Sequence, residues 1–206
     1  MPAAAGPDYV TTLAQDERDA AARFHFESDR RRYVAAHLAL RNVLAELTGR
    51  PPSSLRFGRT EHGKPFLLES DLHFSLSHSH DFIAIAVAHA PVGIDVERIR
   101  PEVETSEIAS RYFRPDEVQW IANQRQRDLA FFQLWTLKEA IIKADGRGLS
   151  LPLDEVCVDL AALSSPGPIR CSAGGAEWLA RPLEAPAGYC AHVAFREAAR
   201  PSPTAS

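Results

Sequence analysis

Near its middle the chain carries the stretch Val92-Gly93-Ile94-Asp95-Val96-Glu97-Arg98. Apolar residues occupy every second position, which is typical of a β-strand with one face in a core. Asp95 and Glu97 would then lie side by side on the other face. Two carboxylates on one strand face repel each other unless a cation or a base lies between them. Such a pair suits Mg²⁺, although taken alone it is read more simply as a strand with a solvated acidic face.

Helical periodicity flanks this strand at Asp16–Thr48 and at Asp128–Ala144, and each segment ends at glycine-containing residues. Shorter helices are predicted at Glu107–Phe113 and after Arg114. The other predicted strands are Leu55–Arg59, Leu72–Ser77, Phe82–Ala88, Val156–Asp159, Ile169–Ser172, Trp178–Pro182 and Tyr189–Phe195. Helices and strands are segregated along the chain, so the fold class is expected to be α+β.

The two halves share a loose order of helix first and strands later. Pro101 ends the central strand and marks a boundary between an N-terminal lobe (1–100) and a C-terminal lobe (101–206). The tails 1–8 and 198–206 are rich in Pro, Ala and Ser and are expected to be frayed.

Composition narrows the class of protein. The chain has 206 residues and a net charge of −4, which argues against nucleic-acid binding. Its apolar runs are shorter than the roughly 18 residues of a membrane span, and the N-terminus does not read as a signal peptide. Three scattered cysteines argue against a disulfide framework, so a cytoplasmic location is expected. The only lysines among 23 basic residues are Lys64, Lys138 and Lys143, and all three lie within motifs.

The predicted helix at 128–144 contains Leu134-Trp135-Thr136-Leu137-Lys138-Glu139-Ala140-Ile141-Ile142-Lys143. Glu139 and Lys143 are four residues apart and share one face. Most other positions are apolar, so a charged pair here is costly unless it is paired or functional. An ordinary salt bridge and a functional pair are equally compatible with this pattern.

Two further segments carry polar chemistry. The first is His73-Phe74-Ser75-Leu76-Ser77-His78-Ser79-His80. Its Ser77 and His78 could donate hydrogen bonds to a phosphate, or the segment could simply be a polar turn. A third possibility is that His78 and His80 bind a metal. Gly63-Lys64-Pro65 combines a permissive backbone, a point charge and a stiff residue, which suits a phosphate but is also common in turns. A Walker loop and a Rossmann fingerprint are absent.

Taken in order, these four motifs resemble the 4′-phosphopantetheinyl transferases of the single-chain, surfactin-synthetase-activating type. The similarity runs from about Arg23 to about Asp159 and includes Gly146–Leu153. The resemblance implies two pseudo-symmetric lobes, each with helices packed on a small antiparallel sheet. It also implies transfer of the phosphopantetheine group of coenzyme A to a serine of an acyl or peptidyl carrier protein, with Mg²⁺ as cofactor and a monomer as the assembly.

The resemblance also implies roles for individual residues. Asp95, Glu97 and Glu139 would hold Mg²⁺, Glu139 would take the serine proton, and Lys143 would neutralise the departing phosphate. The implied coenzyme A contacts are Arg59, Thr60, Gly63, Lys64, Pro65, Ser77, His78, Lys138 and Lys143. Glu117 matches a further acid of relatives.

One departure concerns the first helix, where relatives carry basic residues that reach the 3′-phosphate of coenzyme A. The matching positions here are Glu17 and Ala20, and Arg32, Arg18 or Arg23 could substitute. Two rival functions stay open: a zinc hydrolase built on His78 and His80, and a non-catalytic protein that binds coenzyme A or a carrier protein.

Overall fold

A computed structural model of the chain describes residues 9–165 and 167–196. Within them the helices are α1 Tyr9–Thr12, α2 Gln15–Ala22, α3 Glu27–Thr48, α4 Thr105–Tyr112, α5 Pro115–Ala122 and α6 Arg127–Asp145. The strands are β1 Phe57–Arg59, β2 Pro65–Leu67, β3 His73–Ser79, β4 Phe82–Ala88, β5 Val92–Arg98, β6 Cys157–Val158, β7 Ile169–Ala173, β8 Ala176–Pro182 and β9 Tyr189–Phe195. The predicted tails 1–8 and 198–206 lie outside the described residues.

The sheets are antiparallel and small, with helices packed on them, so the predicted α+β class is confirmed. β1 pairs with β2, and β3 pairs with β4, as two separate two-stranded sheets. The remaining strands form one five-stranded sheet in the order β5-β9-β8-β7-β6. Among the described residues, no helix is both long and apolar enough to cross a bilayer.

Strand β5 belongs to the sheet of the second half, which corrects the predicted lobe boundary at Pro101. It pairs with β9 along its whole length, from Val92 opposite Phe195 to Arg98 opposite Tyr189. A proline marks where a strand ends, but the local pattern carries no information about a partner almost one hundred residues away. By its hydrogen bonds, the second half therefore begins before residue 92.

Helix α6 lies against the face of β5 and β9 that carries Gly93, Asp95 and Glu97. A Cβ atom on Gly93 would lie 2.0 Å from the Ala140 carbonyl oxygen, so only glycine permits this approach. Asp95 is consequently 4% exposed. The reading of this face as solvated is therefore wrong, because a helix covers it.

The opposite face of β5 is also buried, as predicted for its apolar residues. Ile94 and Val96 pack with Ala84 of β4 and Ala191 of β9. Burial on both faces makes β5 the central strand of the molecule, in contact with the sheet of each half.

The predicted helix Asp16–Thr48 is two helices, α2 and α3, separated by residues 23–26. The two are tied by an ion pair in which Arg41 Nη2 lies 2.6 Å from Glu17 Oε2, and the Arg41 side chain is fully buried. Arg41 also donates to the carbonyl oxygens of Pro52 and Leu55. Arg41 thus joins α2, α3 and the segment that leads into β1.

Candidate active site

A cavity of about 970 Å³ opens between the two halves. Its first wall comes from α3 and the β1–β2 turn, and its second from α4, α6 and the loop that follows α6. The lining residues include His37, Arg59, Gly63, Lys64, Pro65, Arg111, Tyr112, Trp135, Glu139, Lys143, Leu149, Leu153 and Asp154. The volume is at the upper end of the range for sites of drug-sized ligands, so a molecule as large as a nucleotide cofactor fits the space.

The polar centre of this region joins Lys143, Asp95 and Ser77. Lys143 Nζ donates to Asp95 Oδ1 at 2.7 Å and to Ser77 Oγ at 3.0 Å, and Ser77 Oγ donates to the same carboxylate oxygen at 2.8 Å. The second oxygen, Asp95 Oδ2, is buried and without a hydrogen-bond partner. A buried carboxylate oxygen with no donor fits a hard cation as its missing partner.

Two further carboxylates lie within electrostatic range of Asp95. Burial raises the pKa of Glu139 above its ordinary value, and the charges of Asp95 and Glu97 raise it further, against the opposing effect of Lys143. Burial also raises the pKa of Glu97, opposed by a hydrogen bond from Ser79 and reinforced by Asp95. Three mutually repelling carboxylates fit a divalent cation by the chemistry of their oxygens. Within residues 9–165 and 167–196, however, no three His, Cys, Asp or Glu side chains are already gathered closely enough to hold a metal ion.

The turn between β1 and β2 brings Gly63, Lys64 and Pro65 to the cavity wall. Lys64 Nζ donates to the Ala144 carbonyl oxygen at 2.9 Å, at the C-terminal end of α6, and to Val92 O at 3.3 Å. Burial lowers the pKa of Lys64 to about 8. The structure therefore brings the predicted lysine to the cavity wall and shows that its ammonium is bound to α6.

Two neighbours of this turn were also predicted to contact coenzyme A. Arg59 lines the cavity, and its Nη1 donates to the Gly63 carbonyl oxygen at 3.0 Å. Thr60 lines a second cavity of about 390 Å³ instead, and its hydroxyl accepts from the Lys64 backbone N–H at 3.1 Å. Thr60 thus shapes the turn.

Ser77 and His78 differ in accessibility although they are adjacent on β3. The Ser77 hydroxyl is buried and already bonded to Asp95, to Lys143 and to the Val96 backbone N–H, so it has no free capacity for a phosphate. His78 is exposed, and burial of part of its ring together with Lys143 and Arg32 lowers its pKa. His78 and Arg32 are therefore within electrostatic range of each other, although Arg32 Nη1 also pairs with Asp29 at 2.9 Å.

Lys138 does not reach the cavity, which corrects its prediction as a coenzyme A contact. Its side chain is fully buried, and Nζ lies 2.6 Å from Glu117 Oε2. It also donates to the carbonyl oxygens of Leu153 and Val156, each at 2.8 Å. Leu153 lines the cavity, so the Lys138–Glu117 pair holds a cavity-lining residue in place through the Leu153 carbonyl oxygen.

Glu17, at a position where the resemblance led us to expect a basic residue, is turned inward and forms a structural ion pair with Arg41. The α3 residue that lines the cavity is His37, which the sequence analysis did not single out. Its ring stacks on Tyr33, with centroids 3.8 Å apart, and its Nδ1 donates to the Tyr33 carbonyl oxygen at 2.9 Å. The i,i+4 spacing of these two rings was the available signal.

Carboxylates, lysines and imidazoles around one cavity suit the class of enzymes that act on phosphate-containing substrates. Comparison with known families specifies this class. Residues 91–194 match the 4′-phosphopantetheinyl transferase superfamily, and residues 7–90 match the 4′-phosphopantetheinyl transferase N-terminal family. The chain belongs to the 4′-phosphopantetheinyl transferase superfamily, which confirms the family and the transfer to carrier proteins predicted from the sequence. The two matches divide between residues 90 and 91, ahead of β5.

Individual relatives are similar over most of the chain. A 4′-phosphopantetheinyl transferase of Bacillus subtilis is 36% identical over 154 residues, which cover 73% of this chain and 68% of the relative. The 4′-phosphopantetheinyl transferase HetI of a Nostoc species is 37% identical, covering 74% and 67%. The 4′-phosphopantetheinyl transferase Sfp of Bacillus subtilis strain 168 is 33% identical, covering 74% and 68%. The matches thus span about two thirds of the relatives' length.

Proposed function

We propose that the interlobe cavity is the active site of a Mg²⁺-dependent 4′-phosphopantetheinyl transferase that uses coenzyme A and releases 3′,5′-ADP. One observation carries this proposal. The buried Asp95 Oδ2 has no partner, and it belongs to a cluster with Glu139 and Lys143, which both face the cavity.

Asp95, Glu97 and Glu139 would hold the Mg²⁺ ion, which would supply positive charge to screen the pyrophosphate of coenzyme A. The donor set fits, since Mg²⁺ prefers carboxylate oxygens together with phosphate and water. Burial, together with the charge of Asp95, raises the pKa of Glu97 and of Glu139, and a bound cation would offset both effects.

Residues of the chain itself would carry the proton and the leaving charge. As the carrier serine oxygen bonds to phosphorus, Glu139 takes the serine proton, and the bond from phosphorus to the bridging oxygen of the pyrophosphate breaks. Lys143, one helical turn further along α6, pairs with the 3′,5′-ADP that departs with that oxygen. General base catalysis of this kind contributes about 10²–10⁴-fold.

The nucleotide end of coenzyme A would lie against the first wall. Lys64 and Arg59 supply positive charge there, Gly63 and Pro65 supply backbone, and His37 lines the same cavity. Arg32 and His78 are the candidates for binding the 3′-phosphate, because the two interact electrostatically. Glu17, at the position where a basic residue was expected, pairs with Arg41 instead.

The partners would be acyl or peptidyl carrier proteins, and the enzyme would act as a cytoplasmic monomer. The free thiols of Cys157, Cys171 and Cys190 support a reducing compartment. Carrier docking would use the exposed arginines near the cavity, of which Arg111 lines it.

Intact-mass spectrometry tests the proposal on a panel of apo carrier proteins incubated with coenzyme A, Mg²⁺ and the protein. The expected result is a mass gain of one phosphopantetheinyl group that is lost with EDTA. Transfer that persists in EDTA would refute the metal requirement. Coenzyme A binding without transfer to any carrier would favour the non-catalytic alternative, and tightly held zinc in metal analysis would favour the hydrolase.

A further inference from the structure

The buried face of β3 presents three serines at alternate positions to the free edge of β5. The hydroxyl oxygens of Ser75, Ser77 and Ser79 accept hydrogen bonds from the backbone N–H groups of Ile94, Val96 and Arg98, at 3.1, 3.3 and 3.0 Å respectively. Each serine is at most 8% exposed. Side-chain oxygens therefore satisfy a strand edge that has no backbone ladder on that side. We call Ser75, Ser77 and Ser79 the serine row.

Two members of the serine row also donate to the carboxylates of β5. Ser77 Oγ donates to Asp95 Oδ1, and Ser79 Oγ donates to Glu97 Oε2, each at 2.8 Å. A hydroxyl has one proton and two lone pairs, so a hydrogen bond accepted from a fixed backbone N–H restricts where the proton can point. Ser75 makes the same kind of backbone contact, with Ile94. It lies two residues before Ser77, which is the first serine of the row that donates to a carboxylate.

Glu97 depends on this contact more than Asp95 does. Asp95 is short, buried and paired with Lys143 at 2.7 Å, so several contacts hold it. Glu97 has a longer side chain, is only partly buried and is repelled by Asp95. The side-chain hydrogen bond that the structure gives to the Glu97 carboxylate comes from the Ser79 hydroxyl.

We propose that Ser79 is a positioning residue that aims the Glu97 carboxylate at the metal site. This inference rests on the proposed function, because it assigns Glu97 to that site. Ser79 itself touches neither substrate nor metal. It couples Glu97 to the Arg98 backbone through one hydroxyl, so that strand geometry sets the direction of the carboxylate. Partners that orient metal ligands typically contribute about 10–100-fold in metal affinity or activity.

The test compares Ser79→Ala with the matched control Ser75→Ala. Both variants remove one hydroxyl that satisfies a β5 backbone N–H, so both are expected to lose similar thermal stability. Mn²⁺ binding to the metal-free full chain, measured by electron paramagnetic resonance, then isolates the effect on the ligand. We expect Mn²⁺ affinity to fall about 10–100-fold in Ser79→Ala and to stay near wild type in Ser75→Ala. The Ser79→Thr variant, which keeps the hydroxyl, should recover most of the affinity.

The outcomes separate this inference from the function on which it rests. Equal Mn²⁺ affinity in Ser79→Ala and wild type, or an equal loss in Ser75→Ala, overturns the positioning role while leaving the metal site intact. A wild-type protein that binds no Mn²⁺ and transfers in EDTA overturns the metal site and the role of Ser79 together. If Ser79→Ala does not fold, Ser79→Cys has a similar size and only a weak S–H donor, and it should show the same loss.

Discussion

Lys143 Nζ of α6 lies 2.7 Å from Asp95 Oδ1 of β5. This ion pair links the strand that carries two of the proposed metal ligands to the helix that carries the third. The Asp95 side chain is 5% exposed whereas that of Lys143 is 32% exposed, so the pair runs from the protein interior to the cavity. The contact therefore ties the face of α6 that carries Lys143 to the central strand.

Glu139→Gln should lower turnover by about 10²–10⁴-fold, because the amide cannot accept the serine proton. The fold should persist, since glutamine has the same shape. The measurement is the rate of phosphopantetheine transfer to an apo carrier protein, by intact mass. Asp154→Asn is the matched control, because Asp154 lines the same cavity and is exposed. Near-wild-type turnover of folded Glu139→Gln would contradict the assignment.

Gly93→Ala should reduce both stability and turnover. The new Cβ would lie 2.0 Å from Ala140 O and 2.4 Å from Ala144 N, so α6 must move away from β5. Overpacking of this kind typically costs about 1–3 kcal/mol, and it also displaces Glu139 and Lys143. Urea unfolding and transfer assays check this. Gly167→Ala serves as control, because its Cβ meets no atom within 4 Å. Equal behaviour of the two variants would refute the close approach.

Lys138→Met should destabilise the protein by about 3–5 kcal/mol, because Glu117 would remain buried without its cation. Glu117→Gln should also destabilise it, since the Lys138 ammonium would be left uncompensated. The double variant should lose less than the sum of the two single losses, because it leaves neither charge buried. A denaturation double-mutant cycle measures this coupling. Additive losses would show that the pair is not coupled.

Stability should fall on acidification because of His192. This residue is 3% exposed, and burial lowers its pKa to about 4 from the ordinary 6.5. Between these values the unfolded chain binds a proton that the folded chain does not, so unfolding becomes easier as pH falls from 6.5 towards 4. The loss from this group is about 3 kcal/mol at 1.36 kcal/mol per pH unit.

The measurement is the free energy of unfolding against pH for wild type and His192→Gln. The variant should lack most of this slope, whatever its absolute stability. His62→Gln, a change at an exposed histidine, should keep the slope. An unchanged slope in His192→Gln would assign the acid sensitivity to other groups.

Arg111→Glu should raise the KM for an acidic carrier protein by a larger factor than the KM for coenzyme A. Arg111 lines the rim of the cavity, with its guanidinium 5.3 Å from the Tyr112 ring centroid. Charge reversal at a docking surface slows association, and added salt should shrink the difference from wild type. Arg170→Glu, at an exposed position on β7, is the control. An unchanged carrier KM in Arg111→Glu would remove this surface from the docking site.

Local patterns predicted most elements of the fold, although not the short strand β2, and they did not predict the long-range pairing of strands. The period of two in 92–98 and the helical period in 128–144 predicted β5 and α6 closely, and β9 has the predicted bounds. The pairing of β5 with β9 was beyond prediction, because hydrogen-bond partners distant in the chain leave no local signal. The break between α2 and α3 was also missed, since residues 23–26 contain neither glycine nor proline to mark it.

The candidate site could be anticipated in part, from charged side chains whose chemistry is visible in the sequence. Residue type and spacing drew attention to Asp95, Glu139 and Lys143, and the family resemblance gave their expected roles. In the structure Lys143 pairs with Asp95, and Glu139 and Lys143 line the cavity. Lys138 was assigned wrongly, because its burial against Glu117 depends on tertiary packing. The serine row was visible as alternate serines in His73–Ser79, but without β5 as a partner the pattern looked like the start of a turn.

The position of β5 limits where this polypeptide can be cut. Division after Pro101 would leave β5 on the first fragment and strip β9 of its neighbour, exposing an open strand edge. Division before Val92 would keep the sheet whole but uncover the N–H groups of Ile94, Val96 and Arg98. Two-fragment complementation is therefore expected to work best with the break ahead of Val92, where reassembly requires hydroxyl contacts and apolar packing rather than a new backbone ladder.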